Sequence, residues 1–158
     1  MTVTQVPAAE RVAVDDGFVL DAQLCFALHA ASRAMTGSYR PLLDELGLTY
    51  SQYVVMLVLW EQESITLGEI GRQLQLDSGT LSPLLRRLDE RGLLTRVRRV
   101  EDERTVQVTI TDAGRVLRPR ASKAQQSVVN ATGYTPQELA ELRDTLHALT
   151  AKLRGGVG

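Results

Sequence analysis

Residues 66–110 constrain the fold most, because two helices and a hairpin are predicted there in direct succession. Four leucines recur at the i, i+3, i+4, i+7 spacing of one helical face: Leu81, Leu84, Leu85 and Leu88. Asp77 or Ser78 is suited to cap the start of this helix, and Gly92 to end it. A shorter helix over residues 66–74 precedes it after a tight turn. This order is typical of a helix-turn-helix unit.

The hairpin follows this helix directly. Residues 94–100 and 105–110 are rich in strand-forming side chains, and the second stretch alternates apolar with polar residues. The connecting residues 101–104 are charged, which predicts an exposed tip. A hairpin in this position is typical of a winged helix, although a purely structural hairpin is the alternative.

The candidate DNA-contacting residues lie on the second helix and in this wing. Small and hydroxyl side chains let a helix approach a groove and bind phosphates, and arginine suits a narrow minor groove. We expect the carboxylate of Asp102 to position the guanidinium of Arg104. The candidates are Asp77, Ser78, Gly79, Thr80, Ser82, Arg86, Arg96, Arg98, Asp102 and Arg104.

The charge distribution agrees with such an interface. The whole chain carries a net charge of −1, which argues against a generally basic nucleic-acid binder. Residues 86–99, however, contain six arginines and only two acids. A solvated helix face is the alternative explanation for this run.

Leucine stripes at both ends of the chain exceed what a small winged helix needs, and they predict helices that dimerise. A first helix is expected from Phe18 or Leu20, with a kink or a division into two helices at Pro41. Another helix should follow Thr111 with an interruption at Pro119, and Thr135 should cap a last one.

The predicted fold class is therefore mainly α with a small β-wing: a winged helix-turn-helix with N- and C-terminal helices forming a dimerisation region. Residues 49–110 form the winged helix-turn-helix, and residues 18–48 and 111–153 form the dimerisation region. Residues 1–17 are predicted to be a disordered lead-in, and residues 154–158 a loose tail.

A single cysteine excludes an intrachain disulfide and favours a reducing compartment, so a cytoplasmic protein without membrane association is expected.

Cys25 has His29 one helical turn later, on the same face. Tyr39 and Tyr50 can donate hydrogen bonds to a thiolate if the fold or a partner subunit brings them near. The alternative is a cysteine that packs as a small hydrophobic residue. No pattern in the sequence calls for a metal or another cofactor.

The chain resembles the MarR family of winged-helix transcription regulators over residues 18–153, and within it the organic hydroperoxide resistance regulators. The segments that carry the resemblance are residues 24–26 (Leu-Cys-Phe), 32–36, 39–43, 48–53, 76–81 and 101–104. The resemblance implies a homodimeric repressor that binds a pseudo-palindromic operator in double-stranded DNA, and whose Cys25 is oxidised by organic hydroperoxides.

Two departures place the chain in the one-cysteine type of this branch. His29 stands where one subgroup has a tyrosine, and the resolving cysteine of the two-cysteine subgroup is absent. An oxidised Cys25 is therefore expected to take up a low-molecular-weight thiol.

Two other functions are weighed against this one. The first is a MarR-type repressor that a small aromatic ligand releases from DNA, with Cys25 merely structural. The second is a thiol-dependent enzyme that uses Cys25 with His29. No third group is seen to orient the histidine and no second thiol closes a peroxidase cycle, so we predict that the chain is not an enzyme.

Overall fold

The computed structural model describes residues 18–156, so the predicted lead-in over residues 1–17 lies outside the described residues. The chain divides into two units, one ending at Gly37 and the other beginning at Ser38. The first unit contains a short 3-10 turn, Leu20–Ala22, and most of helix α1, Leu24–Asp44. The α-helix thus begins later than residues 18–20, because the chain first makes this tighter turn.

Helix α1 is one helix rather than two, since it continues through Pro41 to Asp44. The predicted division at this proline is therefore wrong. A proline inside a helix removes its own N–H from the hydrogen-bond ladder. The bond that is lost is the one to the carbonyl of residue 37, one turn earlier, and the helix nevertheless continues for three residues beyond the proline.

The remaining helices and strands belong to the second unit. They are α2 (Tyr50–Gln62), β1 (Ser64–Thr66), α3 (Leu67–Leu74), α4 (Ser78–Glu90), β2 (Leu94–Arg98), β3 (Val106–Ile110), α5 (Asp112–Val116), α6 (Arg118–Ala131) and α7 (Pro136–Gly155). The caps predicted at Asp77 and Thr135 are confirmed. Thr49 and Thr135 form capping boxes, and the side chains of Thr66 and Asp77 accept backbone hydrogen bonds at the starts of α3 and α4.

The three strands form an antiparallel sheet in the order β1-β3-β2. The hairpin of β2 and β3 is the predicted wing, with both strands slightly shorter than expected. Strand β1 was not predicted. It pairs Ile65 with Val108, and its three residues are too few to show an alternating pattern.

The core lies where α4 packs against α2, α3 and the sheet. Leu81, Leu85 and Leu88 are fully buried, and Leu84 is half-buried against them, which confirms the predicted inward face of α4. Each fully buried leucine contributes about 1.5–3 kcal/mol relative to exposure. This packing fixes α4 by one face and leaves its opposite face exposed.

The C-terminal helices differ from the prediction at two places. The break that was expected at Pro119 falls at Leu117, between α5 and α6, and Pro119 lies in the first turn of α6. Helix α7 continues through Gly155, two residues into the predicted loose tail. None of the helices in residues 18–156 has the length and apolar character that crossing a membrane requires.

Gly114 closes the base of the wing, and its replacement by alanine should destabilise the fold. An added Cβ would lie 2.3 Å from the Leu93 carbonyl oxygen and 2.8 Å from Cγ1 of Ile110. Backbone must therefore shift, and overpacking of this kind costs roughly 1–3 kcal/mol. We expect Gly114→Ala to lower the free energy of unfolding in urea by that amount. Gly68→Ala is the matched control, since its Cβ meets open space in α3. Equal effects of the two changes would contradict the crowding at Gly114.

Candidate nucleic-acid interface and thiol site

The N-terminus of α4 is built around the Asp77 carboxylate. It accepts a hydrogen bond from the Thr80 backbone N–H at 2.7 Å and one from the Thr80 hydroxyl at 3.2 Å. These hydrogen bonds, the backbone one first, lower the pKa of Asp77. Of the predicted contacts, Asp77 and Thr80 are therefore engaged in capping. The hydroxyl of the exposed Ser78 has no partner within residues 18–156 and remains available for a phosphate.

The outward face of α4 carries its basic residues. Arg86 pairs with Glu90 at 3.9 Å, and both side chains are well exposed. An exposed pair of this kind holds its partners weakly, so Arg86 is available to a ligand. Arg87 was not among the predicted contacts, although it belongs to the arginine run. Its exposed guanidinium has no partner in the described part of the chain, which adds it to the candidates.

The wing uses several of its arginines for its own structure. Arg96 Nε lies 3.0 Å from Asp89 Oδ2, which ties β2 to α4. Arg98 donates to the Glu103 carbonyl at 2.9 Å, and Arg99 donates to Gln107 Oε1 at 2.7 and 3.1 Å. Arg104 at the tip differs from these three, because its guanidinium makes no hydrogen bond or ion pair with another residue between 18 and 156.

Asp102 does not hold the guanidinium of Arg104, and that expectation is wrong. Its carboxylate accepts hydrogen bonds from the Arg104 backbone N–H at 3.0 Å and from the Thr105 hydroxyl at 3.0 Å. The Thr105 N–H also donates to the Asp102 carbonyl at 2.9 Å. A short side chain in a turn reaches backbone donors two residues later more readily than the end of a long side chain. Asp102 therefore shapes the turn that carries Arg104.

The predicted thiol site is divided between the two units. Cys25 is a free, exposed cysteine in the first turn of α1, and His29 is exposed one turn later. The thiol is therefore not packed as a small hydrophobic residue in this structure. Tyr39 and Tyr50 belong to the second unit, where their ring centroids lie 5.5 Å apart. The structure thus brings the two tyrosines together.

A third tyrosine, Tyr53, holds this pair. Its ring lies 5.2 Å from Tyr39 and 5.9 Å from Tyr50, centroid to centroid. Burial raises the pKa of both Tyr39 and Tyr53, and a hydrogen bond joins their hydroxyls. Tyr50 is 38% exposed, so the cluster opens to the surface at this ring.

No three histidine, cysteine or acidic side chains come together as a metal site in residues 18–156. The groups that are placed to react or to bind a ligand are the exposed thiol, the tyrosine cluster and the free guanidinium groups of α4 and the wing. A helix-turn-helix followed by a charged hairpin, with an exposed second helix, defines a winged-helix DNA-binding protein.

Comparisons with known proteins agree with this class. The family model for the transcriptional regulator SarA/Rot matches residues 38–118. The organic hydroperoxide resistance transcriptional regulator of Bacillus subtilis is 43% identical over 138 residues, covering 87% of this chain and 94% of the relative. The regulator TtmR of Methylorubrum extorquens is 48% identical, over 85% of this chain and 72% of the relative.

A solved structure of reduced AbfR bound to DNA superposes with a TM-score of 0.75 at 36% identity, over 88% of this chain and 95% of that one. AbfR is also known in an overoxidised form bound to DNA and in a disulfide form. The chain belongs to the MarR/SarA-type winged-helix transcription regulators. Its relatives are DNA-binding regulators, and it is a regulator rather than an enzyme.

Proposed function

We propose that this regulator is a redox-sensing repressor that releases its operator when an organic hydroperoxide oxidises Cys25. One observation carries the proposal: the chain's single cysteine is free and exposed in a protein 43% identical to an organic hydroperoxide resistance regulator. AbfR has been solved reduced and overoxidised, both bound to DNA, and in a disulfide form, so more than one oxidation state occurs in a protein of this fold.

The chemistry proceeds in two steps. The Cys25 thiolate attacks the terminal oxygen of the hydroperoxide, the O–O bond breaks, and a sulfenic acid and an alcohol form. The departing alkoxide takes up a proton. Because the sequence has no second cysteine, the sulfenic acid condenses with a low-molecular-weight thiol. This second step gives a mixed disulfide and water, and it adds bulk and charge to α1.

The regulator acts on DNA as a homodimer in this proposal. Helix α7 has no buried residue, and it exposes Leu142, Leu146 and Leu153. Burial of such a stripe against a second copy is the expected way to stabilise it. Two copies place their α4 helices in successive major grooves, so the operator is pseudo-palindromic with half-sites about 10 bp apart.

The proposed DNA contacts are drawn from the predicted residues, with Arg87 added. Ser78, Gly79, Ser82, Arg86 and Arg87 of α4 face the major groove and its phosphates, with Asp77 and Thr80 capping the helix. In the wing, Arg104 enters the minor groove, while Arg96, Arg98 and Asp102 hold the wing in position.

The test uses DNA upstream of the regulator's own reading frame. A footprint should cover two half-sites, and a gel shift should show release after cumene hydroperoxide and a small thiol are added. A reductant should then restore the complex. Binding that is indifferent to the hydroperoxide, or protection of a single half-site, would contradict the proposal.

Tyr39 and Tyr50 are proposed to donate hydrogen bonds to the Cys25 thiolate in the dimer. A hydrogen bond to a charged group contributes about 1.5–3 kcal/mol, so losing one should slow oxidation roughly tenfold or more. We expect Tyr50→Phe to slow thiol loss in stopped-flow mixing with cumene hydroperoxide. Tyr134→Phe is the control, because this exposed tyrosine lies outside the cluster. An unchanged rate in Tyr50→Phe would remove Tyr50 from the thiol site, and a slower rate in Tyr134→Phe would show a nonspecific effect.

One observation favours release by a small aromatic ligand as a second candidate. A cleft of about 370 Å³ lies between α2 and α6, lined by Tyr53 and Trp60 and by the opposite charges of Glu61 and Arg118. Aromatic walls suit an aromatic ligand. Release of DNA by a small aromatic compound from a Cys25→Ser variant would support this candidate.

A further inference from the structure

The turn that ends α1 is a junction between three helices. Its backbone is closed by hydrogen bonds from the Leu48 N–H to the Leu43 carbonyl and from the Gly47 N–H to the Asp44 carbonyl, both at 3.0 Å. Gly47 has a φ of +66°, so this is the left-handed termination that glycine favours. The carbonyls of residues 45–47 lie in the turn beyond the last residue of α1, and each of them accepts a hydrogen bond from an arginine side chain.

Arg91, at the C-terminal end of α4, occupies two of these acceptors. Its guanidinium donates to the Leu46 carbonyl at 3.1 Å and to the Gly47 carbonyl. A Cβ at position 47 would lie 2.8 Å from Nη2 of Arg91. Glycine is therefore needed at position 47 both for its backbone conformation and for the close approach of this guanidinium.

Arg120 of α6 takes the third acceptor, donating to the Glu45 carbonyl at 3.2 Å. The end of α1 is thus bonded to α4 through Arg91 and to α6 through Arg120. The donors of a guanidinium form a rigid planar fork, so bonds to two carbonyls at once fix its orientation relative to the turn. Arg91 is engaged in this way, unlike Arg86, Arg87 and Arg104 of the proposed DNA contacts.

We infer that Arg91 is a positioning residue that couples α1 to the recognition helix α4. The inference rests on the proposed function, because α1 is the helix that carries Cys25. When the mixed disulfide displaces α1, the bonds from Arg91 to the Leu46 and Gly47 carbonyls carry the displacement into α4. Arg91 then sets how strongly oxidation changes DNA affinity, a coupling that is separate from thiol reactivity and from DNA contact.

Arg91→Gln tests this role. The operator Kd is measured for the reduced protein and for protein carrying the mixed disulfide, and the ratio of the two Kd values is compared with that of the wild type. We expect the ratio to fall at least tenfold, while the rate of thiol oxidation is unchanged and the Kd of the reduced protein changes less than threefold. Arg91→Lys, which keeps one donor group, should restore part of the ratio.

Arg40→Gln is the matched control, since it removes the same charge from α1 at an exposed side chain without a bond to this turn. Its ratio should equal that of the wild type. An equal loss of affinity in both redox states of Arg91→Gln, or an unchanged ratio, would overturn the coupling role. A wild type that keeps its DNA after oxidation would instead remove the proposed function, and this inference with it. Urea unfolding of both variants shows whether a changed ratio comes from lost stability.

Discussion

Cys25→Ser should bind the operator as tightly as the wild type and ignore organic hydroperoxides. Serine has nearly the same size as cysteine, and the exposed side chain at position 25 fills no core, so the fold and the DNA-binding surface should be preserved. A hydroxyl forms neither a sulfenic acid nor a mixed disulfide, so the first chemical step of the proposed switch is lost.

Anisotropy of a labelled operator measures this directly. In the wild type, cumene hydroperoxide with a small thiol should weaken binding at least tenfold, and mass spectrometry should find one thiol adduct per chain. Cys25→Ser should show neither effect. If this variant still leaves DNA after peroxide treatment, Cys25 is not the switch, and release by a small ligand becomes the preferred explanation.

Arg104→Ala should weaken operator binding by tenfold to a hundredfold, because an arginine at a base edge or groove contributes about 1–3 kcal/mol. The substitution should leave the structure of the wing unchanged. Asp102 bonds to the backbone N–H of residue 104, which alanine retains, so the turn of the wing should stay in place. Thiol oxidation should proceed at the wild-type rate.

Arg99→Ala is the control for the loss of a positive charge in the wing, since its guanidinium is bonded to Gln107. Its effect on Kd should be several-fold smaller than that of Arg104→Ala. The dependence of log Kd on log salt concentration should also become shallower in Arg104→Ala, as fewer counterions are released. Equal losses in the two variants would mean that only the total charge matters and that the wing tip makes no specific contact.

The features that the sequence predicts well are those formed within a few residues. The caps at Asp77 and Thr135 join residues three positions apart, and the leucine stripe of α4 follows the helical period. The hairpin of the wing is equally local. These elements are sufficient to define a winged helix, which is why the fold class was predicted correctly.

The features that were missed depend on contacts between distant residues or on the geometry of a turn. Strand β1 exists because Ile65 pairs with Val108, and no local pattern reveals that pairing. The partner of Asp102 depends on how the wing turn folds, and the bonds of Arg91 join residues more than 40 positions apart. In the tyrosine cluster, the hydrogen bond between Tyr39 and Tyr53 joins residues of two different helices, α1 and α2.

Trp60 gives this protein an optical signal of its own. It is the chain's only tryptophan, it is 8% exposed, and its indole N–H donates to the Gly114 carbonyl at 2.9 Å. Indole emission shifts with the polarity and hydrogen bonding of its surroundings, so it reports on the place where the wing meets the C-terminal helices. Tyr53, with its ring 6.3 Å away, is near enough to pass excitation energy to it. Conformational changes at this place can therefore be followed in unlabelled protein from the intrinsic fluorescence of a single residue.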